Sequence, residues 1–163
     1  MSTFEAAIPL LLADEGSAYV ENDCGRGPCK YGITLETAQA FHKDWVAVDI
    51  QNLTAFGASE FYEAAFWGRW RIGLIADQAL ASGVLNRVVN LGPKVIAWLQ
   101  EIVGTKPDML IGPMTAAAIN GRDPTVLLTA LRKVTSDTYH QIVHDHPEKL
   151  PELTGWLVRN AKC

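Results

Sequence analysis

The sequence has no hydrophobic run of the about 18–20 residues that a membrane-spanning helix requires. An apolar stretch does follow Thr3, but it contains Glu5 and no basic residue precedes it, which is unlike a secretory signal peptide. We therefore expect no stable membrane insertion and no cleaved leader. Action outside the cytoplasm would then require another route of export or release.

Strong charge of one sign is absent as well. The net charge of the 163 residues is -4, and the basic clusters are small: Arg69 and Arg71 flank Trp70, and Arg132 precedes Lys133. Nucleic acids and anionic membranes attract proteins through extended basic surfaces. We expect no nucleic-acid partner.

Cysteine is scarce, with 3 residues in the chain. Cys24 and Cys29 enclose the turn-forming segment 25–28, a spacing compatible with a disulfide bond in an oxidising compartment. Two reduced thiols in a loop are the alternative. A zinc knuckle would need further ligands at matched spacing, and none is near in the sequence. Cys163 is expected to be free.

The sequence does have helical periodicity. Apolar residues between Phe4 and Leu12 recur on one helical face, and Gly16 follows as a stop, so the first helix should end near Glu15. Residues 17–34 are irregular and should end in a short hairpin. Further helices are predicted over 34–43, 54–68, 75–89, 95–103, 113–119, 124–144 and 151–160. The chain should therefore be mainly α, with two halves packed as lobes around a cleft.

Glu15 is the candidate for acid chemistry. Cleavage of a glycosidic bond needs a carboxylic acid that protonates the leaving oxygen, and a second group on the other face of the sugar. An apolar, partly buried position keeps such an acid protonated near neutral pH. Glu15 follows the apolar segment 10–13 and precedes Gly16, whereas Asp14 points to another face. A solvated acidic helix end is the structural alternative.

Several motifs occur in order along nearly the whole chain. The N-terminal ones are Asp14-Glu15-Gly16, Tyr19-Val20-Glu21-Asn22-Asp23 and Lys30-Tyr31-Gly32-Ile33-Thr34. They resemble the N-terminal motif of glycoside hydrolase family 108, which comprises phage and bacterial N-acetylmuramidases. The resemblance continues through segments 61–63, 66–67, 89–93, 98–100, 108–115 and 155–159.

The resemblance implies a fold and two functional regions of the chain. The fold would be a lysozyme-like, two-lobed helical one, with a small irregular or hairpin segment between the first two helices. Region 1–84 would be catalytic, and region 85–163 would resemble a helical peptidoglycan-binding region packed with it as one compact unit. The family's catalytic glutamate corresponds to Glu15.

The sequence departs from the family pattern at a few positions. Ser17 and Ala18 stand where the family usually has a glycine before tyrosine, and segment 24–29 replaces a Gly-rich loop. Met109 replaces a glycine, and Asn86 stands where aspartate is common. The altered loop would lie beside the active site, where a disulfide could substitute for the Gly-rich turn.

The second catalytic group is less well defined. Phage lysozymes of another type place Glu, Asp and Thr at comparable spacing, and by that analogy Asp23 would orient or activate water and Thr34 would position it. An Asx-turn role for Asp23 and an N-cap role for Thr34 are the structural alternatives. Glu21 and Glu36 are lesser candidates for the second carboxylate.

Aromatic rings offer flat faces to sugars, which makes Tyr31, Tyr62, Trp67 and Trp70 candidate substrate contacts, although aromatics on helices more often belong to the core. Asn90 could hydrogen-bond an acetamido group, or it could cap a helix end.

A metal site is not indicated. His140 and His144 have a spacing that can hold zinc on one helix face, but Gln141 stands where a metalloprotease motif requires Glu. We expect a polar helix end there, and no metal or organic cofactor.

These observations predict an enzyme, a lysozyme-type muramidase that hydrolyses β-1,4 bonds between N-acetylmuramic acid and N-acetylglucosamine. We expect a monomeric phage or prophage endolysin that acts on peptidoglycan glycan strands. It would be made in the host cytoplasm and act in the periplasm, which it would reach through a holin pore or by delivery from a secretion machine. The alternatives are a non-catalytic wall-binding module, a secreted antibacterial effector and a structural phage component.

Overall fold

The computed structural model describes residues 1–23 and 25–162. These residues form nine α-helices and one two-stranded hairpin, which confirms the mainly α class. They divide into two compact units, Ile8–Ala65 and Met1–Ala7 together with Phe66–Cys163. The functional regions 1–84 and 85–163 stay a prediction, because these units are defined by compactness alone.

The unit Ile8–Ala65 carries the hairpin and short helices. The elements in chain order are the later turns of α1 (Phe4–Glu15), β1 (Cys29–Lys30), β2 (Ile33–Thr34), α2 (Leu35–Gln39), α3 (Ala47–Asn52) and α4 (Ala55–Tyr62). Its core consists of buried apolar side chains, among them Leu11, Ile33, Ala38, Ile50, Ala58 and Phe61.

This unit differs from the prediction in one helix boundary and in one additional helix. Helix α2 ends at Gln39 rather than near residue 43, and the separate helix α3 was not predicted. Helix α3 starts where the Asp49 carboxylate accepts a hydrogen bond from the backbone N–H of Val46, at 2.8 Å. It buries only Ile50, so it has almost no apolar periodicity to detect.

The other unit is a bundle of longer helices. The chain passes through a π-helical segment (Glu63–Gly68) and a 3₁₀ turn (Ile72–Leu74), then through α5 (Gln78–Leu91), α6 (Lys94–Val103), α7 (Pro113–Asn120), α8 (Pro124–Asp145), a second 3₁₀ turn (Pro147–Lys149) and α9 (Leu150–Lys162). Helix α8 packs against α5, α6 and α9. Asp77 caps α5 by accepting from the N–H of Leu80, at 2.8 Å, so this helix begins later than predicted.

A buried amide holds the loop between α6 and α7. Gln100 is fully buried; its Nε2 donates to Asp108 Oδ1 (2.7 Å) and its Oε1 accepts from the N–H of Met109 (2.9 Å). Met109 has φ 62, a left-handed conformation that favours glycine. The family pattern has glycine where this chain has Met109, and the left-handed backbone explains that preference physically.

Candidate active site

The hairpin between β1 and β2 turns through Tyr31 and Gly32. Lys30 pairs with Ile33, so the loop has two residues, with φ 52 at Tyr31 and φ 73 at Gly32. Two successive positive φ values are typical of a type I′ turn, whose twist matches that of the strands. The turn therefore favours glycine at position 32 and holds Tyr31 in a conformation that tyrosine seldom adopts.

This turn lies directly against the carboxyl group of Glu15. A Cβ atom placed on Gly32 would lie 2.4 Å from Glu15 Oε2, 2.8 Å from Cδ and 2.9 Å from Cγ. Glu15 itself is the last residue of α1 and is half-buried. The backbone of the hairpin thus borders the Glu15 carboxyl group, and a side chain at position 32 would displace that carboxyl group from its observed place.

Tyr62 fixes the turn from the end of α4. Its Oη donates a hydrogen bond to the backbone carbonyl of Tyr31 at 2.7 Å, and its side chain is only 1% exposed. A ring buried to this extent offers no face to a sugar, so the predicted sugar contact of Tyr62 does not hold. Its role is to position the turn. Tyr31 itself is half-buried, with the Lys30 ammonium 5.7 Å from its ring centre.

Asp23 lies in a closely hydrogen-bonded loop before the hairpin. Its carboxylate pairs with the Arg26 guanidinium at 2.6 Å, and its N–H donates to the carbonyl of Gly27 at 2.9 Å. The neighbouring Asn22 makes the Asx turn, because its Oδ1 accepts from the N–H of Gly25 at 2.9 Å. Asp23 therefore contributes to holding the loop, and its part in orienting water stays a prediction.

Cys29 lies near both proposed catalytic carboxylates. Its pKa is raised above the usual value of 9.0, first by burial and then by the negative charge of Asp23, with a further contribution from Glu15. Arg26 acts in the opposite direction. Among the described residues, Cys29 has no disulfide partner. Cys24 lies outside the described residues, as does Cys163, so the predicted Cys24–Cys29 disulfide stays a prediction.

Thr34 is the N-cap of α2, as one of the two interpretations predicted. Its Oγ1 accepts from the N–H of Thr37 at 3.1 Å and lies 2.9 Å from Thr37 Oγ1. The residue is 2% exposed. A water-positioning role for its hydroxyl stays a prediction.

The remaining predicted contacts, Trp67, Trp70 and Asn90, belong to the helical unit. Trp67 packs edge-on against Phe4, with ring centres 5.8 Å apart, and is 8% exposed, so its broad face is not available to a sugar. Trp70 is half-buried beside the Arg69 guanidinium, at 5.1 Å. Asn90 is exposed: its Nδ2 donates to the carbonyl of Asn86 and its Oδ1 accepts from Arg159.

The histidines at the end of α8 are exposed and interact with their own helix. His140 Nδ1 lies 2.8 Å from the carbonyl of Ser136, and His144 Nδ1 lies 3.1 Å from Asp145 Oδ1. Among the described residues, no group of three or more His, Cys, Asp or Glu side chains could hold a metal ion. None of the described helices is long and apolar enough to cross a membrane.

The sequence patterns did not identify two contributors to the site. Gly32 was recognised as part of a motif but not as the wall against Glu15, and Asn22 was not distinguished from Asp23. A two-residue turn ending in glycine between two short strands was the available signal for Gly32. No local signal links the turn to Tyr62, because the contact joins residues far apart in sequence.

Comparisons with known proteins bear on the family and the fold of this chain. A family model described as "Glycosyl hydrolase 108" matches residues 8–92, slightly more than half of the chain, and one described as "Predicted Peptidoglycan domain" matches residues 94–161. A search of curated proteins gave no match. A solved structure titled "Structure of Brucella abortus SagA" is similar with a TM-score of 0.77 and 22% identity, over 98% of this chain and 94% of that chain. At this identity the similarity shows the fold alone.

Proposed function

This chain belongs to glycoside hydrolase family 108, and from that membership we propose that it cleaves the β-1,4 bond between N-acetylmuramic acid and N-acetylglucosamine. The family and the adjoining peptidoglycan domain make it a glycosidase of the peptidoglycan-hydrolase type. In the proposed reaction the carboxyl group of Glu15 protonates the leaving oxygen as the bond between that oxygen and the anomeric carbon breaks. A water oxygen bonds to the anomeric carbon, and the proton that the water loses passes to a carboxylate.

The observation that carries this assignment is the contact between Glu15 and the hairpin. The carboxyl group lies against Gly32, where any larger residue would displace it, and the turn is fixed by Tyr62. Catalytic groups need such support, because a proton donor must be held within hydrogen-bond reach of the reacting oxygen. Glu15 also occupies the last turn of α1 and is half-buried.

The test is Glu15→Gln, which preserves shape and removes the acid. We expect turbidity loss of purified sacculi and release of reducing ends to fall by about 10²–10⁴-fold, the usual contribution of general acid catalysis. Glu5→Gln is the matched control, because Glu5 is an exposed carboxylate in the first turn of the same helix and should leave the rate unchanged. A folded Glu15→Gln variant with wild-type activity would refute the assignment. Binding of the wild type to sacculi without release of reducing ends would indicate a wall-binding module instead.

We assign Asp23 as the second group, acting on water. The Asp23 carboxylate forms an ion pair with Arg26, so variants of these two residues distinguish action on water from stabilisation of the loop. If Asp23 acts on water, Asp23→Asn should lower kcat strongly, whereas Arg26→Gln should leave most of the activity. Equal losses in the two variants would show that the pair only holds the loop.

We further propose that the enzyme is a phage-type endolysin that acts on the wall from the periplasm. Induced expression in a host should then leave the cells intact until a holin is co-expressed, and lysis should depend on Glu15. Lysis by the wild-type chain without a holin would contradict holin-dependent release.

A further inference from the structure

A pocket with aromatic walls has no role in the proposed proton transfer. It lies in the unit Ile8–Ala65, its volume is about 360 Å³, and its described lining includes neither Glu15 nor Gly32. The side chains that matter for its chemistry are three rings, two aliphatic groups and one carboxylate, from His42, Trp45, Phe61, Leu53, Ala64 and Glu60. A mainly apolar cavity of this size is typical of small-ligand sites.

The three rings form one cluster with a buried base and an open rim. His42 and Trp45 are stacked, with ring centres 4.9 Å apart and planes 15° apart. The ring centre of Phe61 lies 6.2 Å from each of them, and Phe61 is only 4% exposed. His42, by contrast, is exposed and Trp45 is half-buried. Rings that served only the core would all be buried, so the cluster offers an aromatic surface to solvent.

A hydrogen-bonded turn holds Trp45 in place. Helix α2 ends at Gln39, and the chain then turns where the sequence predicted further helix. The N–H of Trp45 donates to the carbonyl of His42 at 3.1 Å, and the carbonyl of Trp45 accepts from Gln39 Nε2 at 2.9 Å. A ring that is fixed before a ligand arrives loses little freedom on binding.

The composition of the wall restricts the ligand. Among the described residues that line the pocket, none is Lys or Arg and Glu60 is the one carboxylate, so an anionic ligand would lack a partner for its charge. A pyranose ring with equatorial substituents carries C–H bonds on its faces and polar groups at its edge. An aromatic wall can remove such a face from water while the hydroxyl groups stay solvated at the open rim. This fit requires no polar side chain of the pocket to point at the ligand.

We propose that this pocket binds an N-acetylglucosamine residue of the glycan strand, away from the bond that is cleaved. The sugar ring lies against the aromatic cluster, and the site holds the strand without taking part in proton transfer. N-acetylmuramic acid fits less well, because it carries a carboxylate and the pocket has no cation. The choice of the peptidoglycan strand rests on the proposed function, whereas the preference for an uncharged ring with an apolar face comes from the pocket itself.

Binding is tested on the full-length Glu15→Gln chain with tri-N-acetylchitotriose, an uncharged β-1,4-linked trimer of N-acetylglucosamine. The readout is the Trp45 indole N–H resonance, identified by its loss in Trp45→Leu. We expect saturable shifts, with a Kd that does not change with ionic strength because the ligand carries no charge. Ala64→Leu places a larger side chain in the pocket and should weaken Kd by about tenfold or more.

Two variants are matched controls. Ala64→Ser keeps the pocket open, and Phe56→Leu removes a ring that is 73% exposed on α4 but does not line the pocket. Each should change Kd by less than about twofold, as is usual for surface substitutions. Circular dichroism should show the same Tm for Ala64→Leu and Ala64→Ser. Absence of a shift in the wild-type pocket, an unchanged Kd in Ala64→Leu, or a Kd that rises with salt overturns the proposal.

Activity gives an independent readout in the wild-type background. Trp45→Leu should raise KM for long glycan strands by about three- to tenfold, the range for loss of an aromatic contact, and leave kcat unchanged. An unchanged KM, or a fall in kcat instead, overturns the proposal, because the ring would then not act by holding the strand. If Glu15→Gln remains active, the catalytic assignment fails while the probe result stands; if the probe does not bind, only this inference fails.

Discussion

Replacing Gly32 with alanine tests directly whether the hairpin positions Glu15. The new Cβ would lie 2.4 Å from Glu15 Oε2, whereas ordinary contact begins at 3.4 Å, so the carboxyl group must retreat by about 1 Å. The far end of a glutamate is flexible, so the carboxyl group should move while the backbone stays in place. Misplacement of a catalytic group by about 1 Å costs roughly 10²-fold in rate.

The effect on stability should be much smaller. Alanine at φ 73 costs about 1–2 kcal/mol, and part of this is offset because alanine restricts the unfolded chain. A net loss of about 1 kcal/mol corresponds to a fall in Tm of about 2–4 °C for a chain of this size. Activity and stability should therefore separate in this variant.

Gly104→Ala is the matched control for backbone strain. Gly104 has φ 78, close to that of Gly32, but nothing lies within 4 Å of its Cβ position. Both variants should lose a similar amount of Tm in thermal unfolding followed by circular dichroism. Only Gly32→Ala should lose about 10²-fold in the hydrolysis of sacculi. If the two variants kept equal activity, the contact between the hairpin and Glu15 would have no catalytic importance.

Three other predictions concern single residues. Tyr62→Phe removes the hydrogen bond to the Tyr31 carbonyl and should lower stability by about 1 kcal/mol, seen as a lower Tm; an unchanged Tm would contradict it. Met109→Gly relieves a positive φ and should raise Tm by about 1–3 °C, and a decrease would show that the side chain of Met109 matters more than its backbone. The raised pKa of Cys29 stabilises the fold below pH 9.0, and this contribution is lost as the pH rises through the folded-state pKa. The Tm of the wild type should therefore fall more steeply above pH 9.0 than the Tm of Cys29→Ala. If Tm depended on pH in the same way in both proteins, the buried Cys29 thiol would make no contribution to the pH dependence of stability.

Much of the architecture could be predicted from local sequence features. Gly16 after an apolar stretch placed the end of α1 at Glu15, and the N-cap role considered for Thr34 is confirmed, because its side chain accepts a hydrogen bond from the N–H of Thr37. Helix α3 was missed, because it has almost no apolar periodicity, and the start of α5 was placed before its N-cap residue Asp77. Periodicity and capping involve residues within about four positions of one another, so the chain itself carries this information.

The sequence by itself determined the mainly α class, the position of Glu15 at a helix end and, through the ordered motifs, the family. Only the tertiary structure decided that Gly32 lies against Glu15 and that Tyr62 holds the turn rather than a sugar. These contacts join segments distant in sequence, and they depend on the positive φ values of a two-residue turn and on which ring is buried when the helices pack. Such features follow from packing, and no local pattern of side chains encodes them.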